Sequence, residues 1–204
     1  MVQALSRKLT DYLVTNERIT EDQRELYEYG FIAFLEIASS TLAMIIIALV
    51  SGRIIESAGF LLGLIPIRNT AGGVHAKSFL VCFMSSVLIF ILSLAVIDLT
   101  PEAWRLWVGA AACILSVILV FALAPIPNEN KPLTQNELKR FKKMARVIIL
   151  LISAAFISMV FFKGLNLAAY SLSIGSCVAA LTLPFARINI NKNQTKNQTE
   201  KKEI

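Results

Sequence analysis

An all-α, polytopic membrane protein is what this sequence predicts: about six transmembrane or re-entrant helices, preceded by an N-terminal amphipathic helix on the membrane surface. Three observations lead there. Of 204 residues, 56% are hydrophobic and 17% charged, and the mean hydropathy of +0.66 exceeds what a soluble domain of this size needs to bury a core. Four runs, 31–50, 79–97, 107–124 and 147–162, approach the roughly 20 apolar residues that cross a bilayer. Lysine and arginine are also divided unequally between alternate loops, as the retention of these residues on the cytoplasmic side requires.

Residues 1–29 are polar and charged, and Leu5, Leu9, Tyr12 and Leu13 are spaced to form one apolar stripe. That pattern suits a helix resting on the inner surface, and nothing in the segment reads as a cleaved signal. The membrane domain is expected over 30–186. Its first run, 31–50, carries Glu36. The run 54–67 is short and holds Glu56, Gly59, Gly63 and Pro66. It either spans with help from neighbours or dips in and returns, since non-helical backbone at membrane depth must be covered by protein or line a wet cavity.

The runs 79–97 and 107–124 are apolar throughout. A polar stretch follows at 125–146, whose prolines restrain the chain as it leaves the bilayer. Within it, Thr134-Gln135-Asn136-Glu137 fits the capping-box pattern of a helix start. The run 147–162 spans. The last run, 165–184, is apolar enough to span but contains Asn166, Tyr170, several serines and Gly175. Residues 187–204, rich in Asn, Lys and Thr, are expected to form a disordered basic tail.

With six crossings and the N-terminus inside, Arg53, Arg105 and Lys163 face out and the other 17 of the 20 basic residues face in. Both termini, and the loop around residues 68–78, are then cytoplasmic in a multi-pass protein of the cell membrane. Orientation and attraction to anionic inner-leaflet lipids account for the net charge of +6. Nucleic-acid binding is not indicated, because the basic residues lie in membrane-proximal loops without interleaved aromatics.

The loop after 54–67 carries the chain's single histidine, His75, seven residues before Cys82. Imidazole takes up a proton near neutral pH, and a thiol becomes a strong nucleophile once its proton is gone. One histidine cannot complete a zinc site, and no cofactor or metal is expected. Three cysteines beside a reducing cytosol give no disulfide framework, and Cys113 and Cys177 read as small apolar fillers. Cys82 differs by its place about one turn into its segment, with Arg68, His75 and Lys77 upstream, where an early helix position and nearby cations favour thiolate.

Seven residues on one straight helix amount to about 10 Å along the axis, too far for proton transfer. Gly72 and Gly73 allow the preceding loop to fold over the helix start and bring His75 toward Cys82, and their amides could hold an oxyanion. The same glycines could equally mark only the end of one segment and the start of the next. Glu36 is the better acidic candidate for orienting His75; Glu56 lies near the outer end of its run. Either acid could instead pair with Arg68 or Arg53, and Asn69, Asn128 and Asn130 are alternative orienting amides.

Arg68, Gly73-Val74-His75-Ala76, Cys82 at its spacing from His75, Ala124-Pro125 and Asn130-Lys131-Pro132 together resemble the accessory gene regulator B (AgrB) family. These are membrane endopeptidases that process quorum-sensing propeptides, and the likeness extends over most of the chain. It implies that Cys82 is the nucleophile and His75 its base, and that Arg68, Gly73 and Lys131 shape the site or hold the propeptide. The implied substrate is an AgrD-like propeptide, cleaved to an acyl-enzyme thioester that a cysteine or serine of the precursor then attacks to close a thiolactone or lactone. The resemblance names no third catalytic residue, and a homodimer is left open. The alternative from a different class is a transporter or peptide-export partner, in which His75, Glu36 and Glu56 line a path.

Overall fold

The computed structural model describes residues 2–72, 79–126, 134–162 and 164–200, the last of these from 189 onward by backbone alone. Seven α-helices occur among them and no strand: α1 Val2–Thr15, α2 Arg24–Ser51, α3 Ile54–Ala71, α4 Phe79–Leu99, α5 Glu102–Leu123, α6 Gln135–Val160 and α7 Asn166–Glu200. Five stretches are long and apolar enough to cross a membrane, one in each of α2, α4, α5, α6 and α7. The helix α3 falls outside this group because Glu56, Arg68, Asn69 and its glycines dilute its apolar character. It is nonetheless one continuous helix of 18 residues. At 1.5 Å per residue that is about 27 Å of helix.

Two compact units make up the described chain. The first comprises residues 1–52 and 76–91, and the second residues 53–75 and 92–204, so α4 contributes to both.

In the first unit, α1 lies against α2. Arg7 pairs with Glu28 at 3.0 Å, and Arg24 pairs with Asp11 at 2.5 Å and with Glu21 at 2.8 Å. The buried residues of α1 are Ser6 and Thr10, whose hydroxyls donate back to the carbonyls of Gln3 and Ser6, so its packed face is small and self-satisfied. Leu5, Leu9 and Tyr12 are exposed on its surface, which is the apolar stripe anticipated for a membrane-surface helix. α2 ends at Gly52, whose φ of 69° and N–H contacts to the carbonyls of Ala48 and Leu49 make a left-handed cap.

α7 is the core of the second unit. Buried residues make up 61% of its apolar stretch, against 28% or less in the other four candidate spans. It packs on α3, α5 and α6. Lipid tails are as apolar as leucine, so helices in a bilayer associate through close backbone approach and hydrogen bonds. Both are present here. Gly59 and Gly63, one turn apart on α3, face the backbone of α7 at Ala168, Leu172 and Ser176, and Gly175 of α7 faces the carbonyl of Phe60. The Ser116 and Ser176 hydroxyls meet at 3.3 Å between α5 and α7, and the Cys113 thiol donates to the Ser153 hydroxyl at 3.3 Å between α5 and α6.

The capping box at Thr134 forms as expected: the Glu137 N–H donates to Thr134 Oγ1 at 3.3 Å, and the Thr134 N–H donates to the Glu137 carboxylate at 2.9 Å. The basic stretch that follows is the first part of α6 itself, continuous with the apolar run. α7 continues as helix to Glu200. Its packed portion supplies the nucleus, and no glycine or proline after Pro184 interrupts propagation.

Candidate functional site

Among the described residues, the sequence-predicted candidates lie at the end of α3 (Arg68, Gly72) in the second unit, and in α4 (Cys82) and α2 (Glu36) in the first. His75, Gly73 and Lys131, with Asn128 and Asn130, lie outside the described residues.

The last turn of α3 carries Arg68, half-buried, at the helix end where a cation suits the dipole. Pro66, one turn earlier, removes one N–H from the helical ladder. The Thr70 hydroxyl, in the last turn, donates to the Pro66 carbonyl at 2.8 Å. Ile67 and Ala71 are 1% and 0% exposed, so the exit of the helix is anchored in packed protein.

Gly72 then leaves the helix at φ 81°, ψ −168°, a backbone state open to glycine and strained for other residues. A second constraint acts at the same residue: a Cβ there would run into the carbonyl oxygen of Ile126. The N–H of Ile126 in turn donates to the Ala71 carbonyl at 2.9 Å. Ala124 and Ile126 are both buried, and the Ala124-Pro125 bond is cis. The structure thus ties the exit of α3 directly to the exit of α5. Nothing in the sequence reading anticipated this link; the one available signal was that Ala124-Pro125 and the glycine pair belong to the same set of motifs.

Cys82 lies in the first turn of the described part of α4 and is half-buried. Its carbonyl accepts from the Ser85 hydroxyl at 3.0 Å, and Leu80, Val81 and Met84 around it are exposed. Cys113 is buried and hydrogen-bonded to Ser153, and Cys177 is half-buried within α7, which suits the structural reading of both. Cys82 and Glu36 belong to the first unit; Arg68, Gly72 and Ile126 belong to the second.

Glu36 is half-buried midway along α2, and Glu56 is half-buried in the first turn of α3. Arg53, one of the cations that either acid was expected to claim, is instead ion-paired with Asp98 at the far end of α4. The reason is position: Arg53 caps the start of α3 and Asp98 closes α4, so both sit at the same end of the second unit.

The model of the family described as Accessory gene regulator B matches residues 6–183. Relatives named as AgrB-like proteins include one from Clostridium perfringens (strain 13 / Type A), 24% identical over 149 residues, which are 70% of each chain. Another, from Listeria monocytogenes serotype 4a, is 27% identical over 146 residues, or 71% of each. A third, from Listeria innocua, is 26% identical over 152 residues, or 73% of this chain and 74% of that one. No solved structure matches. Five helices long and apolar enough to cross a membrane among the described residues, and a family match over residues 6–183, assign this multi-pass membrane chain to the accessory gene regulator B family, which takes part in the processing of quorum-sensing peptides.

Proposed function

We propose that this chain is a cysteine endopeptidase of the cell membrane that cleaves an AgrD-like propeptide and prepares it for cyclisation. The observation that carries the reading is Cys82: half-buried at the start of a membrane helix, seven residues after the chain's one histidine, in a member of this family. In this reading the N-terminal segment 1–29 and both chain ends are cytoplasmic, 30–186 is the membrane domain, and anionic lipids of the inner leaflet attract the basic loops.

The chemistry balances without a cofactor. His75 accepts the proton of the Cys82 thiol, and the sulfur attacks the scissile carbonyl. Amides near Gly72 and Gly73 hold the oxyanion. The C–N bond breaks, the imidazolium returns its proton to the departing amine, and the N-terminal part of the precursor remains as a thioester on Cys82. A cysteine thiol or serine hydroxyl of the precursor then attacks that thioester. His75, neutral again, takes the proton of that thiol or hydroxyl; the ring closes as a thiolactone or lactone, and Cys82 leaves as thiolate beside the imidazolium. Arg68 and Lys131 offer charge complementarity to carboxylates of the propeptide, and Glu36 is the candidate for orienting the imidazole. A thioester keeps much of the activation of the original acyl group as long as water is kept away, which apolar helices and lipid achieve.

The test is cleavage of an AgrD-like precursor by membranes containing the protein. Cys82→Ala and His75→Ala should each insert normally and release no C-terminal fragment. Retained processing by Cys82→Ala would point instead to a transporter or export partner.

A further inference from the structure

The segment 124–126 leaves α5 through its C-cap Ala124, with Ala124 and Ile126 buried and Pro125 half-buried, and both polar groups of Ile126 face the end of another helix. Its N–H donates to the Ala71 carbonyl at 2.9 Å, and its C=O sits where a side chain on Gly72 would have to go. A helix leaves its last carbonyls without partners, and a buried one without a donor is costly. Ala71 is fully buried and in the last turn of α3, so Ile126 supplies what the helix lacks. The glycine at 72 is then demanded twice, by its φ of 81° and by the space that Ile126 occupies.

We infer that residues 124–126 are a backbone strap that positions the exit of α3, and that Ile126 is a positioning residue for the proposed peptidase. The inference rests on the function proposed above. His75 follows Gly72 by three residues and Lys131 follows Ile126 by five, so both loops with proposed roles start from one pinned point. Three residues reach at most about 11 Å, which makes the direction in which the chain leaves Gly72 a main determinant of where the imidazole can go. Reaction rates depend steeply on such placement, and a shift near 1 Å can cost on the order of a hundredfold.

The experiment uses the full-length protein in lipid. Hydrogen exchange of the wild type should find the Ile126 amide protected; exchange at the rate of an open peptide would overturn the strap. Ile126→Pro deletes the donor, and Gly72→Ala puts a Cβ against the Ile126 carbonyl. Turnover is measured per folded molecule, counted from the monodisperse peak in size-exclusion chromatography and its thermal unfolding amplitude. Each variant should lower kcat by about tenfold to a hundredfold with KM changed far less. Ile126→Val, which keeps the amide, should restore kcat. Unchanged kcat in Ile126→Pro or Gly72→Ala overturns the inference, and if Ile126→Pro does not fold, Gly72→Ala and the exchange measurement decide. A Cys82→Ala arm separates the two readings: cleavage surviving there sinks the peptidase while leaving the strap to the exchange result, and cleavage lost there but untouched by the strap variants sinks only the strap.

Discussion

Gly63 on α3 lies so close beneath the carbonyl oxygen of Leu172 on α7 that no side chain fits between them. With Gly59 one turn earlier and Gly175 on the opposing helix, it lets two backbones touch at the centre of the second unit. This is the close approach that holds helices together where hydrophobic burial gives no advantage.

Gly63→Ala should therefore destabilise the protein by about 1–3 kcal/mol, the usual cost of overpacking. The measurement is the unfolding midpoint in detergent. Gly30→Ala in α2 is the control, because an added Cβ there meets nothing within 4 Å, and it should leave the midpoint unchanged or slightly raised. Equal midpoints for the two variants would contradict the packing account.

Tyr170 supplies a graded comparison. It is 1% exposed, and its hydroxyl meets that of Thr100 at 2.9 Å. Thr100 also reaches the Val96 carbonyl at 2.7 Å, so Tyr170→Phe leaves Thr100 with a partner and should cost only about 0.6 kcal/mol, the mean for interhelical hydrogen bonds in a membrane. Tyr170→Ala opens a cavity and should cost about 3–5 kcal/mol. The same unfolding measurement reads both, and the ranking is the prediction.

The ion pair between Arg53 and Asp98 is about one-third exposed on each side, so solvent screens it. Asp98→Asn should cost at most about 1 kcal/mol, and the exchange Arg53→Asp with Asp98→Arg should recover part of the loss. A cost well above that range, in the same assay, would mean the pair is buried more deeply than described.

Orientation makes an independent prediction. A reporter fused after Asp98 should be active outside the cell and one after Asn136 inside, following the distribution of basic residues. The opposite pattern would remove the proposed cytoplasmic site.

Most of the fold was legible because its signals are local. Apolar runs of about 20 residues declare spans, and the cap at Thr134 is written in four consecutive residues. What escaped depends on contact between distant segments. Gly59 and Gly63 looked like weaknesses of a short span until α7 supplied the surface they fit, although their four-residue spacing was a readable sign of close packing. The Ala71–Ile126 bond joins backbone groups, which no side-chain pattern reveals. Glu36 and Glu56 were among the possible partners of Arg53, which instead pairs with Asp98 at the far end of α4. For the site, motif and spacing indicated Cys82, while the joined helix exits around Gly72 emerged only from the fold.

The central claim is that Cys82 forms a covalent bond with the precursor. Purified protein in lipid, mixed with an AgrD-like precursor and examined intact by mass spectrometry, should gain the mass of the precursor's N-terminal portion as a thioester. Hydroxylamine should remove that mass, and Cys82→Ala should never acquire it. Cleavage that proceeds with no adduct on the wild type, or an adduct that survives Cys82→Ala, would contradict the account.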